Sequence, residues 1–451
     1  MLIDRYQRRH TTASHAAVQA FESAVQAVAA HRPSAADALG RALEHDPHLV
    51  SGWALKGFAA LILGRAELLA PARDAHARAS DALGRHGAAT ESETVLVRAL
   101  AMALGNRFKV AADLLEDHLD RHPADLLAVK LSQSLRFMGG DGTGMLAATT
   151  RLVPRWSPDM AGAGFVLGCH AFALEEVGRY REAEIYGHRA LKLEPHDAWG
   201  LHAVSHVHEM ENRTLDGIEC LERTRSVWSG CNNFRFHMAW HLALFHLEEG
   251  RADKALALYD SEVRPEPTDD YRDVANAASL LWRLRQEGLE GGYRWNELAE
   301  IGRRRARETT VIFATLHNLL SLVGAGDRQG AHAVVEALRA RADAGTGDQA
   351  EVAASVGLDL ARIIVGVGGV RRTDLSRLAR ELPRLGGSNA QRDVFMRTLM
   401  AMAPETAAPV LLEMRRRLKR EDRFAERLRR RMDRPSRLQE RRHRHLSFAA
   451  M

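Results

Sequence analysis

The stretch GFVLGCHAFALEEVGRYREAEIYGHRALKLEP, residues 164–195, decides the fold. It reads as two helices. The first ends at EEVG, with Gly178 in the turn, where a residue free to adopt positive φ ends a helix cheaply. The second, RYREAEIYGHRALKLEP, puts Ala183 and Ala190 on the face where two helices cross, and Pro195 stops it. The same grammar recurs at residues 235–267, as LEEG with Gly250, then RADKALALYD with Ala255, then Pro267. Between them, residues 198–229 form a looser copy, with Asn212 in the turn and Gly217 at the crossing.

Earlier copies run over residues 53–84 and 93–123, and a third starts at Ala124 with Gly139, Gly140 and Gly142 at its turn. Later copies cover residues 271–304 and 309–344, the last with Gly326 and Ala331 in the repeat positions. A helix pair repeated about every 34 residues, with small residues at turn and crossing, is the tetratricopeptide pattern. The expected fold is all-α: a right-handed superhelical solenoid of antiparallel helix pairs over residues 1–345. Residues 346–412 are expected to be atypical capping helices, since end repeats of a solenoid depart from consensus. Residues 413–451 are expected to form a basic, Arg-rich helix and tail broken at Pro435.

Composition agrees, with 46% hydrophobic and 27% charged residues and few strand formers. The net charge of +5 hides an asymmetry. Residues 415–444 hold 15 Lys/Arg against 5 Asp/Glu, a surplus of 10, so the rest of the chain carries −5. With no interleaved aromatic except Phe424, this tail reads as a solvated or oligomer-contacting helix rather than a nucleic-acid-binding one. Cys169, Cys220 and Cys231 show no C-x-x-C spacing and cannot all pair, which favours a reducing cytoplasm. No signal peptide and no membrane-spanning run is expected. Neither a phosphate-binding G-x-x-x-x-G-K-[ST] nor a G-x-S-x-G elbow is present. DLLEDHLDRHP, residues 113–123, reads as an ordinary amphipathic second helix.

The chemistry concentrates in residues 196–250. Two His-x-x-x-His pairs, His202/His206 and His237/His241, each put two rings on one face of a helix, one turn apart. In a tetratricopeptide superhelix the first helix of each pair lines a concave groove. Aligning the turn residues sends these four histidines, Trp199, Glu209, Trp240, Trp282 and His317 to groove-facing positions. His170, His208 and His246 fall between helices. Three readings compete. Neutral imidazoles could ligate a transition metal such as zinc, with Glu209 as general base of a metal-dependent enzyme. The groove could instead bind a protein, peptide or small-molecule ligand through the His/Trp patch, which is the favoured reading. Or the rings could simply pack.

These residues also carry a family resemblance. DAWGLHAVSHVHEMENRTLDGI, FRFHMAWHLALFHLEEG, NAASLLWRL and FATLHNLLSLVGAGD resemble the tetratricopeptide-repeat protein 38 family over residues 10–340. The resemblance implies the helical-repeat fold and little chemistry. The chain departs from that pattern at Met238-Ala239 and at Asn276, where an aspartate is usual, so a carboxylate role is in doubt there.

Overall fold

The computed structural model describes residues 1–85, 89–366, 372–403 and 407–432. Pro435 and the rest of the basic tail lie outside the described residues. The chain is an all-α array of tetratricopeptide-type helix pairs, and among the described residues the one strand ladder is a two-residue pairing of Leu2–Ile3 with Arg9–His10.

Each helix pair closes through a residue in the left-handed region. Gly64, Asn106, Gly140, Gly178, Asn212, Gly250, Gly288 and Gly326 all have positive φ. From Asn106 onward they recur every 34 or 38 residues. The extra residues of the longer units fall in the connections, as at 305–311 between Arg294–Arg304 and Ile312–Gly324, against 194–197 in a 34-residue unit. Asn tolerates this conformation because its short polar side chain bonds locally.

The chain divides into two compact units. The first comprises residues 1–207 and 222–235. Its pairs include Glu91–Leu104 with Phe108–Leu119, Leu126–Met138 with Gly142–Leu152, and Ala163–Glu176 with Tyr180–Leu193. In the last pair Ala183 and Ala190 are fully buried at the crossing. Gly164 is equally confined: a Cβ there would lie 2.4 Å from Glu194 Cβ and 3.0 Å from the Ala190 carbonyl. The N-terminal hairpin is tied into this unit by Arg8, which donates to Asp125 at 2.5 Å, and by Thr11, which donates to Glu93.

The second unit comprises residues 208–221 and 236 onward. It holds most of Phe234–Glu248 and all of Tyr271–Gln286, Arg294–Arg304, Ile312–Gly324 and Arg328–Ala344. Asn389–Met402 packs across Tyr271–Gln286. Arg283 donates to the Ala390 carbonyl at 2.7 Å, and Trp282 Nε1 donates to Thr398 Oγ1 at 2.9 Å. The start of the basic segment corrects the solvated reading. Arg415, Lys419 and Phe424 are buried, and Arg415 donates to Asp393 and Asp422. The backbone N–H of Arg420 donates to the Met210 carbonyl at 2.8 Å. None of the described helices is long and apolar enough to cross a membrane, and the three cysteines form no disulfide.

Gly164→Ala forces its methyl against backbone. The expected loss is about 1–3 kcal/mol by overpacking, measured as a lower urea midpoint with unchanged slope; an unchanged midpoint would contradict the crossing geometry.

Candidate functional site

In the second unit, five buried side chains form one hydrogen-bonded chain. Lys419 Nζ donates to Glu209 Oε1 at 3.0 Å. Glu209 Oε2 lies 2.9 Å from His241 Nδ1. His241 Nε2 lies 3.2 Å from His237 Nε2, and His237 Nδ1 lies 2.9 Å from Asn276 Oδ1. Glu209 and Lys419 are 5% and 8% exposed, so the ion pair is interior. The His-x-x-x-His spacing produces this directly: one helical turn brings the two rings together edge to face, with centroids 4.7 Å apart.

Proton positions follow from the partners. A carboxylate only accepts, so His241 Nδ1 carries a proton toward Glu209. With Asn276 Oδ1 as the acceptor, His237 Nδ1 carries one as well. Two neutral rings then turn lone pairs toward each other across 3.2 Å, which is repulsive unless a proton or a cation lies between them. Two nitrogens bound to one ion at 2.0–2.1 Å sit roughly 3.0–3.4 Å apart, so this spacing matches a ligand pair. Imidazoles whose Nδ1–H is held by a carboxylate and an amide are the usual outer-shell arrangement of metal-binding histidines. Reversing the Asn276 amide offers the competing pattern, a neutral chain closed by hydrogen bonds alone.

The first unit repeats part of this design. His206 Nδ1 lies 3.2 Å from Glu175 Oε2, both fully buried. His202 and His206 meet edge to face at 4.2 Å. Trp199 is half-buried beside them, with the Phe172 and His31 rings at 4.6 and 5.6 Å and Lys130 over its face at 5.4 Å.

Other expected groove residues are interior. Trp240 is fully buried and donates to Ser279 Oγ at 3.1 Å. Trp282 is spent on Thr398. His317 Nδ1 donates to the Phe313 carbonyl at 2.8 Å, and its ring meets Phe395 edge to face at 4.9 Å. Asn389–Met402, which the sequence marked only as capping, thus covers Trp282 and His317, and these residues do not line an open groove. Both oxygens of Glu209, the expected general base, are engaged, one by His241 Nδ1 and the other by Lys419 Nζ. The cavity beside it, lined in part by Glu209, Glu248, Arg283, Arg397 and Lys419, measures about 20 Å³. That admits a water molecule, not a peptide side chain.

Sequence reasoning missed Lys419 and Asn276 as partners of the site. Lys419 sits in a basic run whose members look alike, and nothing local marks it as a partner of Glu209. It also passed over His118/His122, a third pair at the same spacing, because the surrounding helix reads as plainly amphipathic.

No family model matches the chain. Among solved structures it is similar to a chain of the APC/C hetero-tetramer Cut9-Hcn1, at 12% identity and TM-score 0.38 over 92% of this chain and 74% of that one. It is also similar to yeast Tom70, at 12% identity and TM-score 0.40 over 88% of each chain. The finer resemblance to the tetratricopeptide-repeat protein 38 family is not carried by these likenesses.

Two measurements test the environments described. Burial pushes the imidazoles of His170 and His317 down to about 4. The unfolded chain, with imidazoles near 6.5, then binds protons that the folded chain refuses between pH 6.5 and 4. Unfolding free energy is expected to fall as pH drops through that window, by up to roughly 1.4 kcal/mol per pH unit for each histidine. His317→Phe should flatten the slope in urea titrations at pH 7, 5.5 and 4.5. Lys419→Ala leaves the buried Glu209 without its cation, and a loss of about 3–5 kcal/mol is expected from denaturation midpoints. A loss below about 1 kcal/mol would mean that Lys419 is solvated.

Proposed function

We propose that the chain is a helical-repeat scaffold that holds a transition-metal ion on the imidazoles of His237 and His241. The observation that carries this reading is the 3.2 Å between their Nε2 atoms, with Glu209 and Asn276 each taking an Nδ1 proton. Neutral imidazoles suit zinc, copper, iron or nickel. Within the first unit, the His202/His206 pair is prepared in a similar way, with Glu175 beside His206 Nδ1. The ion would fix the rings on helix Phe234–Glu248 that supply its ligands, a structural role. Hydrolysis through Glu209 is left out, since that carboxylate is fully engaged.

Ligand binding in a concave groove, the other reading from sequence, draws support from Trp199, the half-buried aromatic of the set. A protein, peptide or small-molecule partner would meet the scaffold there. Absence of disulfide bonding favours the cytoplasmic assignment.

The test is metal content of the purified, untagged chain by plasma mass spectrometry, beside His237→Ala/His241→Ala and Asn276→Asp. One equivalent of metal in the native chain is expected to depend on this pair, and to be lost in the double variant without loss of helicity. Asn276→Asp, which can only accept, should hold the ion more tightly than Asn276. A native chain that carries no metal and takes up none from added Zn²⁺ sinks the proposal and favours the reversed-amide network.

A further inference from the structure

The third His-x-x-x-His pair, His118/His122, lies in the first unit at the end of helix Phe108–Leu119. The His122 N–H donates to the His118 carbonyl at 2.9 Å, which adds one more turn beyond the helix. The two rings therefore stack on one side, with centroids 4.6 Å apart. Facing them is Glu91, in the first turn of helix Glu91–Leu104. His122 Nε2 lies 3.1 Å from Glu91 Oε2, and His118 Nδ1 lies 3.8 Å from Glu91 Oε1. One donor atom from each of the three falls within 4.8 Å of the others.

What separates this cluster from an ordinary surface ion pair is the state of His118. Its side chain is 1% exposed, and its Nε2 lies 3.0 Å from Asp125 Oδ2. Asp125 is fixed by the fold: Oδ1 caps helix Leu126–Met138 through the Ala128 N–H at 3.1 Å, and Oδ2 also accepts from Arg8. A carboxylate so held accepts only, so in the neutral imidazole Nε2 carries the ring proton and Nδ1 keeps a lone pair. That Nδ1 is buried, has no hydrogen-bond partner and points to the Glu91–His122 side. A buried lone pair left unanswered is costly, and a carboxylate behind the opposite ring nitrogen is how proteins orient a ligating histidine.

We propose that Glu91, His118 and His122 form a site for a divalent transition-metal ion, ligated by His118 Nδ1, His122 nitrogen and a Glu91 carboxylate oxygen. Two imidazoles and one carboxylate suit a borderline cation such as Zn²⁺, and three protein ligands leave one position open to solvent. Glu91 and His122 are 42% and 44% exposed, so both can close the last ångström around an ion, while His118 stays fixed. Arg121 now donates to Glu91 Oε1 at 2.8 Å, and it is the competitor a bound cation displaces. Its exposure makes that displacement cheap. The site is independent of His237 and His241.

The experiment uses the full chain with Co²⁺ and Zn²⁺ alone as probes. Visible absorption of Co²⁺ is titrated for the native chain and for His122→Ala, Glu91→Gln and Arg121→Ala, with helicity checked by circular dichroism. Loss of one four-coordinate Co²⁺ per chain, or a weakening of tenfold or more, is expected in His122→Ala and Glu91→Gln; Arg121→Ala should bind several-fold more tightly. In ¹⁵N-labelled protein, Zn²⁺ should move the His118 Nδ1 resonance while Nε2 keeps its proton. Binding unchanged within twofold in both His122→Ala and Glu91→Gln, or a static His118 Nδ1 resonance at saturating Zn²⁺, overturns the site.

Discussion

A carboxylate buried between an imidazole and an ammonium is the interaction on which the second unit depends. Glu209 could not be carried ionised into a helix interface without partners, because desolvation of the charge costs several kcal/mol. His241 answers one oxygen and Lys419 the other. Each partner has a structural consequence. His241 brings its ring against His237, and Lys419 holds the start of the basic segment against the helix that carries Glu209. Arg415, set between Asp393 and Asp422, secures the same segment from its other side. Local charges here do the joining that apolar contacts do elsewhere, and each one removed leaves another buried without a partner.

The same device recurs in the first unit with different residues. Glu175 holds His206, and Asp125 holds both Arg8 and His118. In each case a carboxylate engages one nitrogen of an imidazole and so sets which nitrogen keeps its lone pair. Tautomers are thereby built into the backbone positions of neighbouring helices. These carboxylate–imidazole contacts are the physical basis of the proposal that the His-x-x-x-His pairs are ligand pairs.

The helix pairs themselves were readable at the level of single residues. Gly178, Asn212, Gly250 and Gly326 stand in left-handed turns, and Ala183, Ala190, Ala255 and Ala331 are buried where helices cross. Such positions tolerate few side chains, so they leave a mark in one sequence. Asn106 and Gly288 occupy equivalent turns and were less visible, since a lone Asn or Gly is common in any loop. The covering of Trp282 and His317 could not be read in advance. It comes from Asn389–Met402, far downstream of both, whose sequence of mixed polar and apolar residues does not name its docking surface.

The sequence by itself determined the helical pairs, their period and the face on which each histidine pair sits, because those follow from local φ preference, side-chain volume and the 3.6-residue turn. Only the tertiary structure decided that Glu209 is an orienting group, that Lys419 is its cation, and that Asp125 leaves His118 a lone pair. Those roles are set by distances between residues far apart in the chain, and no local propensity encodes which of many like charges will be the one brought within 3 Å.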